Sequence, residues 1–318
     1  MSETDANELG REVDASMRMF EKSHVGELPA LTPIKPSRVL LVLDGSSQDT
    51  TTVATIQFLR ETFNVETLVL DGREPPTDGS QSTDIVSPIL SMVSGSRPLA
   101  REPGESYEAI LAALKIHSVD LMVLPCPFGR DFKKLGVDSV GTVIDVMLSR
   151  SPCPMLVIRR SDQVLADCVR EVSVVIGGEC DIESKAAAWA FGLAAPRGTV
   201  TLNLVVEKEQ FENVRMIVEA INENAQFDAK AFTEALTKTH QSLHGAMART
   251  ATATGQTYHL LPQAGEKSPP NPLEDTHRKL LVLPLEVDDR YTQGFVQDRI
   301  RRSPHPLLII PNHVPDES

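Results

Sequence analysis

Residues 38–46 read Arg-Val-Leu-Leu-Val-Leu-Asp-Gly-Ser, a continuous apolar run that stops at a turn-forming Asp-Gly pair. A strand buried on both faces carries such a run, and burial on both faces is typical of a parallel sheet covered by helices. Beyond it, apolar runs alternate with stretches of helical period, which predicts a doubly wound α/β unit with right-handed crossovers. Its predicted strands lie at 39–43, 65–71, 97–101, 120–125 and 155–159, and its helices at 51–63, 85–93, 105–116 and 140–148.

The second half of the chain repeats parts of the first. Ser151-Pro-Cys-Pro-Met-Leu-Val-Ile158 recurs as Ser303-Pro-His-Pro-Leu-Leu-Ile-Ile310, and Leu121-Met-Val-Leu-Pro125 recurs as Leu280-Leu-Val-Leu-Pro284. Self-similarity of this kind indicates two tandem copies of one domain. The interval between the two motifs is shorter in the second copy, which is therefore predicted to have lost most of a loop.

The repeats divide the chain into an extension and two domains. Residues 1–36 are predicted to be an N-terminal helical extension and linker, with an amphipathic stretch around residues 13–20; a dedicated partner-binding arm is the alternative. Residues 37–162 form the first domain and residues 168–313 the second. The second is predicted to be eroded, with a helical insert near 209–250 and a strand at 257–261.

Composition bounds the function. The 318 residues include 31 Lys and Arg against 44 Asp and Glu, which gives a net charge of −13. We therefore do not expect the chain to bind along nucleic-acid phosphates. The four cysteines show no Cys-x-x-Cys spacing, which favours a reducing compartment. No run of 18 apolar residues occurs, so we expect no membrane interaction and a cytoplasmic location.

These motifs resemble the universal stress proteins in their tandem two-domain form. The resemblance covers about residues 37–312 and rests on Leu43-Asp44-Gly45-Ser46, Asp120-Leu-Met-Val, the Gly141-Thr142 pair and the Ser-Pro-Cys-Pro strand entrance. It implies two tandem doubly wound parallel five-stranded sheets flanked by helices, an adenine-nucleotide-binding fold of the HUP class. It also implies that the last strands, 155–159 and 306–310, pair within the chain as a pseudo-dimer; a homodimer of whole chains stays open.

The resemblance further implies an ATP site at the carboxyl ends of the first domain's strands. An Asp after the first strand holds the adenosine end in such proteins, and a glycine-rich loop holds the phosphates. The matching candidates here are Asp44, Gly45, Ser46, Gly129, Gly141 and Thr142.

The middle of the phosphate loop departs from the family pattern. Pro125 stands where the first glycine belongs, and Gly129 follows after three residues instead of two. Proline has no N–H to offer a phosphate, so phosphate affinity is expected to fall steeply. An alternative assigns Asp44 a structural role as a turn former or helix cap.

The second domain departs further from that pattern. Gly178-Glu179 replaces Asp-Gly-Ser, Pro284 again replaces the glycine, and Glu286, Asp288 and Asp289 place carboxylates in the loop. Carboxylates there would repel phosphates, so this domain is predicted to bind no ATP.

Other chemistry has weaker support. Ser139 lacks nucleophile-elbow spacing, so Asp138 or Ser139 is predicted to cap a helix. His240 and His244 have a metal-binding spacing but no third ligand, and a solvated helical face is predicted instead. Two short basic clusters, Arg159-Arg160 and Arg299 with Arg301 and Arg302, are predicted to be solvated charges that protect the edges beside the last strands; an anion or partner site is the alternative.

The leading hypothesis is a non-enzymatic regulator in stress or metabolic signalling that acts by contacts with an unidentified protein and has no cofactor. The alternative is a sensor that binds ATP or AMP in the first domain only. An enzyme hidden in the insert is a third reading, without a catalytic constellation to support it.

Overall fold

The computed structural model describes residues 29–76, 83–130, 140–177, 182–206, 208–221, 228–264 and 277–312. The predicted amphipathic stretch around residues 13–20, Asp138 and Ser139, and the Gly178-Glu179 pair lie outside the described residues. The first repeat contains β1 (Arg38–Leu43), α1 (Asp49–Phe63), β2 (Glu66–Asp71), α2 (Val86–Met92), β3 (Arg97–Pro98), α3 (Ser106–His117), β4 (Leu121–Pro125), α4 (Thr142–Arg150) and β5 (Met155–Ile158).

A short helix, α5 (Leu165–Cys168), connects the first repeat to the second. The second repeat contains β6 (Glu171–Ile176), α6 (Glu183–Leu193), β7 (Thr199–Val206), α7 (Lys208–Ile221), α8 (Ala229–Thr239), α9 (Gln241–Thr254), β8 (Thr257–Ala264), β9 (Leu280–Leu285), α10 (Arg290–Arg302) and β10 (Leu307–Pro311). The predicted helical insert consists of α7, α8 and α9.

All ten strands belong to one sheet, in the order β3-β2-β1-β4-β5-β10-β9-β6-β7-β8. Each half is parallel and doubly wound, as predicted. The halves join where β5 pairs antiparallel with β10, with Leu156 opposite Leu308. The pairing of the two last strands within one chain, which the resemblance implied, is therefore confirmed.

The strand entrances repeat in detail. The Ser151 hydroxyl donates to the carbonyl oxygen of Cys153 over 2.8 Å and accepts from its N–H. Ser303 makes the same two hydrogen bonds with His305. Cys153 and His305 are both buried, so this turn sets the entry of β5 and β10 in both repeats.

The core lies on both faces of the sheet. Alternate residues of β1 contribute to opposite clusters, Leu41 to the face covered by α1 and α6 and Leu40 to the face covered by α3, α4 and α10. Burial on both faces explains why β1 has no polar alternation. Among the described helices, none combines the length and the apolar character needed to cross a membrane.

Two buried arginines correct the sequence interpretation. Arg159 is 1% exposed and donates from Nη1 to the carbonyl oxygen of Ile300 over 2.6 Å. Arg299 is 4% exposed and lies over the Phe295 ring, 4.5 Å from its centroid. The prediction of solvated charges is wrong for these two, whereas Arg302 is exposed. For Arg159 the reason is the pairing of β5 with β10, which places it against the second repeat instead of on an open edge.

Both outer edges of the sheet carry a proline that faces away from the neighbouring strand. The Thr257 N–H of β8 donates to the carbonyl oxygen of Gly198, on the β7 side. Backbone N–H groups of a strand point alternately to its two sides, so the backbone nitrogen of Pro262 faces away from β7. The Leu99 N–H donates to Val69 of β2, so Pro98 of β3 also faces outward. Proline supplies no N–H on the outward side, which discourages edge-to-edge association. The third strand, Arg97–Pro98, is shorter than the predicted 97–101.

The first prediction concerns Pro262. Pro262→Val restores an outward N–H on β8, and we expect a larger weight-average mass than for the wild type at equal concentration, measured by light scattering after size-exclusion chromatography. His259→Val is the matched control, because it adds a similar apolar side chain where the N–H already faces β7. Equal masses for all three proteins would show that Pro262 does not protect the edge.

Candidate functional site

The six predicted site residues lie at the carboxyl end of the first repeat's sheet. Asp44, Gly45 and Ser46 follow β1 directly, Gly129 lies in the loop after β4, and Gly141 and Thr142 begin α4. Because β1 and β4 are neighbours in a parallel sheet, their carboxyl ends meet at one edge. A Cβ added at Gly141 would lie 3.7 Å from the Phe128 nitrogen, so the start of α4 adjoins the same loop.

Asp44 is the centre of this arrangement and is 5% exposed. Its Oδ2 accepts the Gly129 N–H over 2.7 Å, and its Oδ1 accepts the Ser46 N–H over 2.8 Å. Each carboxylate oxygen is therefore engaged by the chain's own backbone. The geometry matches the turn-forming alternative for Asp44 and extends it across 85 positions to the loop after β4.

The loop of residues 126–130 folds onto the sheet edge. Gly129 has a φ of +71°, a left-handed conformation that glycine adopts without a Cβ penalty. The Phe128 ring lies against Gly72 at the end of β2, where an added Cβ would be 2.8 Å from Cζ. The Phe128 ring and the hydrogen bond from the Gly129 N–H to Asp44 thus lie at the carboxyl ends of β1 and β2.

Pro125 ends the ladder between β1 and β4. The pairing of these strands stops at Val123 opposite Leu41, whereas Cys126 donates to Ile158 on the other side. By alternation, the missing N–H of Pro125 would point toward β1, into the place where the strand order reverses. Pro284 of β9 stands equally beyond the last pair of β6 and β9, Val174 with Val282.

Asp49 is a site residue that the sequence did not reveal. Its carboxylate accepts the backbone N–H groups of Asp44 and Gly45, over 3.2 and 2.8 Å. Burial, with the adjacent Asp44 carboxylate second, raises the pKa of Asp49 to about 7. The signal in the sequence was only a helix-starting Asp, a residue type common at that position for capping alone.

Arg73 supplies positive charge beside this pair. It forms an ion pair with Asp71 at 2.7 Å and donates to the carbonyl oxygen of Thr83 over 2.6 Å. A Cβ added at Gly45 would lie 3.2 Å from the Arg73 Cδ. The hydrogen bond that Arg73 donates to Asp71 is the main reason that the pKa of Arg73 is raised, with smaller contributions from Asp49 and Asp44.

In the second repeat, different residues cover the carboxyl ends of the strands. Asp289 caps α10, where its Oδ1 accepts the Tyr291 N–H over 3.0 Å and its Oδ2 the Thr292 N–H over 3.1 Å. The Phe295 ring lies against Gly177 after β6, where an added Cβ would be 2.8 Å from Cε2. The helix amides that would face a phosphate already bind a carboxylate of the chain.

The two histidines of the insert contact different partners. His240 is 5% exposed, and its Nε2 lies 3.2 Å from Oε1 of Glu183 at the start of α6. The Nδ1 of His244 lies 2.9 Å from the Tyr258 hydroxyl. The predicted solvated face is wrong for His240, because the junction of α8 and α9 packs on α6. The described residues contain no cluster of side chains suited to a metal ion.

The second prediction uses the pKa of Asp49, which lies above its ordinary value of 3.8. The protonated form is favoured in the folded state, so this stabilisation is complete below about pH 4 and is lost as pH rises through about 7. We expect the free energy of unfolding in urea to fall across that interval and Asp49→Asn to reduce the fall. The buried Trp189 reports unfolding by fluorescence.

The matched control for Asp49 is Asp162→Asn, at an exposed position. It should retain the wild-type dependence on pH. The same fall in Asp49→Asn as in the wild type would assign the dependence to another group.

The third prediction concerns the cap of α10. Asp289→Ala leaves two backbone N–H groups without their acceptor, and we expect a loss of about 1 kcal/mol in the free energy of unfolding. Asp289→Asn should retain most of the stability, because Asn caps about as well as Asp. Asp288→Ala, at the exposed neighbouring position, is the control and should change stability little; equal losses at both positions would contradict the capping role.

Comparison with solved structures places the fold. A universal stress protein from Archaeoglobus fulgidus superimposes with a TM-score of 0.56 at 14% identity, over 89% of this chain and 98% of that chain. A protein of unknown function from Pseudomonas aeruginosa PAO1 gives 0.54 at 10% identity, over 87% and 92% of the two chains. No family model and no curated protein sequence matches the chain. The described chain has the tandem α/β fold seen in a universal stress protein structure, and its resemblance in fold covers nearly the whole length.

Proposed function

We propose that this chain is a regulator of the universal stress protein type that acts through protein contacts and whose two nucleotide sites are degenerate. The proposal is supported by the fold likeness and, above all, by one observation, the hydrogen bond from the Gly129 N–H to the Asp44 carboxylate. That bond engages the Asp44 carboxylate, which would accept from adenosine, and the Gly129 N–H, which would donate to a phosphate. Its consequence is a site filled by the chain itself.

Phosphate binding depends on several amides that converge on one anion. In the first repeat, Pro125 has no N–H and the Gly129 N–H is used by Asp44. The start of α4 remains, with Gly141 as its N-terminal residue and no side-chain cap. One helix terminus gives weak anion binding, so a triphosphate would lose most of its usual contacts.

Catalysis finds little support in the described residues. Burial raises the pKa of the Cys126 and Cys153 thiols to about 12, which suppresses the thiolate that a nucleophile requires. The Asp44 and Asp49 pair is occupied by turn amides. We therefore propose a non-enzymatic protein without a cofactor, with a cytoplasmic location that the cysteine usage supports.

The fourth prediction tests nucleotide binding. A ligand that binds only the folded state raises the melting temperature, and about 5 mM ATP would produce a clear shift for any dissociation constant below about 0.1 mM. We expect no shift with ATP, ADP or AMP in the full chain. A shift that Asp44→Ala abolishes and Asp289→Ala preserves would contradict the proposal and locate the site in the first repeat.

A sensor that uses the first repeat is the second candidate. The observation that favours it is the difference between the two helix starts, since α10 is capped by Asp289 and α4 begins at Gly141 without a side-chain cap. The loop of residues 126–130 would have to leave Asp44 before adenosine could bind. A shift with AMP equal to that with ATP would favour this candidate, because adenosine contacts would then supply the affinity.

A further inference from the structure

Residues 29–36, here called the strap, cross the second repeat before the chain enters β1 of the first. The Leu31 N–H donates to the Thr250 hydroxyl of α9 over 2.7 Å, and the Ile34 N–H donates to the Ala188 carbonyl oxygen of α6 over 3.0 Å. The Leu31 and Ile34 side chains pack on the core cluster between these helices. The strap therefore lies in a groove between α6 and α9.

The groove is shaped for an extended main chain. A Cβ added at Gly192 of α6 would lie 1.6 Å from the Ile34 carbonyl oxygen, so only glycine admits the strap at that depth. The Thr250 side chain is 1% exposed, and its hydroxyl donates to Ala246 while it accepts from Leu31. The groove thus offers two acceptors and a glycine notch to a passing backbone.

The strap is held by few contacts over most of its length. Leu31, Pro33 and Ile34 are partly buried and Pro36 is buried, whereas Pro29, Ala30, Thr32 and Lys35 are exposed. Prolines at 29, 33 and 36 restrict the free segment to extended conformations, so little entropy is lost when it docks. Two main-chain hydrogen bonds and three partly buried side chains hold residues 29–35 in the groove, and a competing segment that makes the same contacts can replace them.

We propose that the groove between α6 and α9 is a docking site for an extended segment of a partner protein, and that the strap closes it in cis. The segment carries two apolar side chains three positions apart, as in Leu31 and Ile34, between prolines. The inference rests on the proposed function, because it names the surface through which the chain would contact another protein.

A second copy of this chain does not fit as the occupant. Lys35 and Pro36 alone separate Ile34 from Ser37, whose N–H donates to Asp120 of the first repeat over 2.9 Å. A strap from another copy would bring its own first repeat to within about 10 Å of the groove, where the first repeat of the receiving chain already lies. A partner segment that is long and extended on both sides meets no such barrier.

The fifth prediction is a competition measured by fluorescence polarisation. The probe is a labelled peptide of residues 29–36, Pro-Ala-Leu-Thr-Pro-Ile-Lys-Pro. A tethered strap acts at a local concentration in the millimolar range, so the full chain with Leu31→Asp and Ile34→Asp should bind the peptide at least about tenfold more tightly than the wild type. Equal affinities for the two proteins, or no binding to either, would overturn the proposal.

Groove variants in the released chain identify where the peptide binds. Gly192→Ala blocks the notch and favours the helix, so we expect binding to be lost without loss of folding. Thr250→Val removes the acceptor for the first main-chain N–H and should weaken binding about fivefold. Thr252→Val, two positions further on the exposed face of α9, should not. Peptide binding that survives Gly192→Ala would place it elsewhere and overturn the proposal.

Two further controls keep the result decisive. Thermal unfolding shows whether the released chain is folded; if it is not, Ile34→Asp alone opens half of the strap, and intermediate affinity is expected. Failure of this proposal also stays distinct from failure of the proposed function. The peptide assay reports the groove between α6 and α9, whereas nucleotide titration reports the carboxyl edge of the sheet.

Discussion

The antiparallel pairing of β5 with β10 is the constraint on which the architecture depends. A five-stranded open sheet exposes the backbone groups of two edges, and each exposed edge is a site of association. Joining the last strands of the two repeats removes two of the four edges, and the outward-facing Pro98 and Pro262 blunt the two that remain. The same junction places Arg159 against Ile300 of the other repeat, so a charged side chain that would otherwise be solvated becomes part of the interior.

The two repeats arrive at closed sites by different means. In the first repeat, the loop of residues 126–130 covers the carboxyl ends of the strands. The Gly129 N–H donates to Asp44, and the Phe128 ring lies against Gly72. The second uses Asp289 as a helix cap and Phe295 against Gly177. In both, a proline at or near the end of the strand beside the central one, Pro125 of β4 and Pro284 of β9, supplies no amide donor where the strand order reverses. The common feature is therefore the missing donor, and the residues that fill each edge are particular to the repeat.

Local pattern predicted the strands and failed at contacts between distant residues. The apolar run of β1 and the repeated Ser-Pro-x-Pro entrances were sufficient to predict β1, β5, β10 and the order of elements, because burial on both faces leaves a signal in every residue. The bond from Gly129 to Asp44 spans 85 positions and that from His240 to Glu183 spans 57, and neither leaves a periodic signal. The six candidate residues were predicted from motifs and lie at one end of the sheet. Asp49, Arg73 and Phe128 lie beside them and were not predicted, because their positions depend on the fold of loops.

Closure of the edges also follows from the energetics of buried polar groups. A cleft that lost its ligand would leave a buried carboxylate and several helix amides without partners, each at a cost of about 1–3 kcal/mol. Asp44 instead accepts from Ser46 and Gly129, and the first amides of α10 donate to Asp289. These polar groups are thus satisfied within the chain, without a ligand. If the chain acts through protein contacts, as proposed, the groove between α6 and α9 would be the surface it presents, and residues 29–36 occupy that groove in this structure.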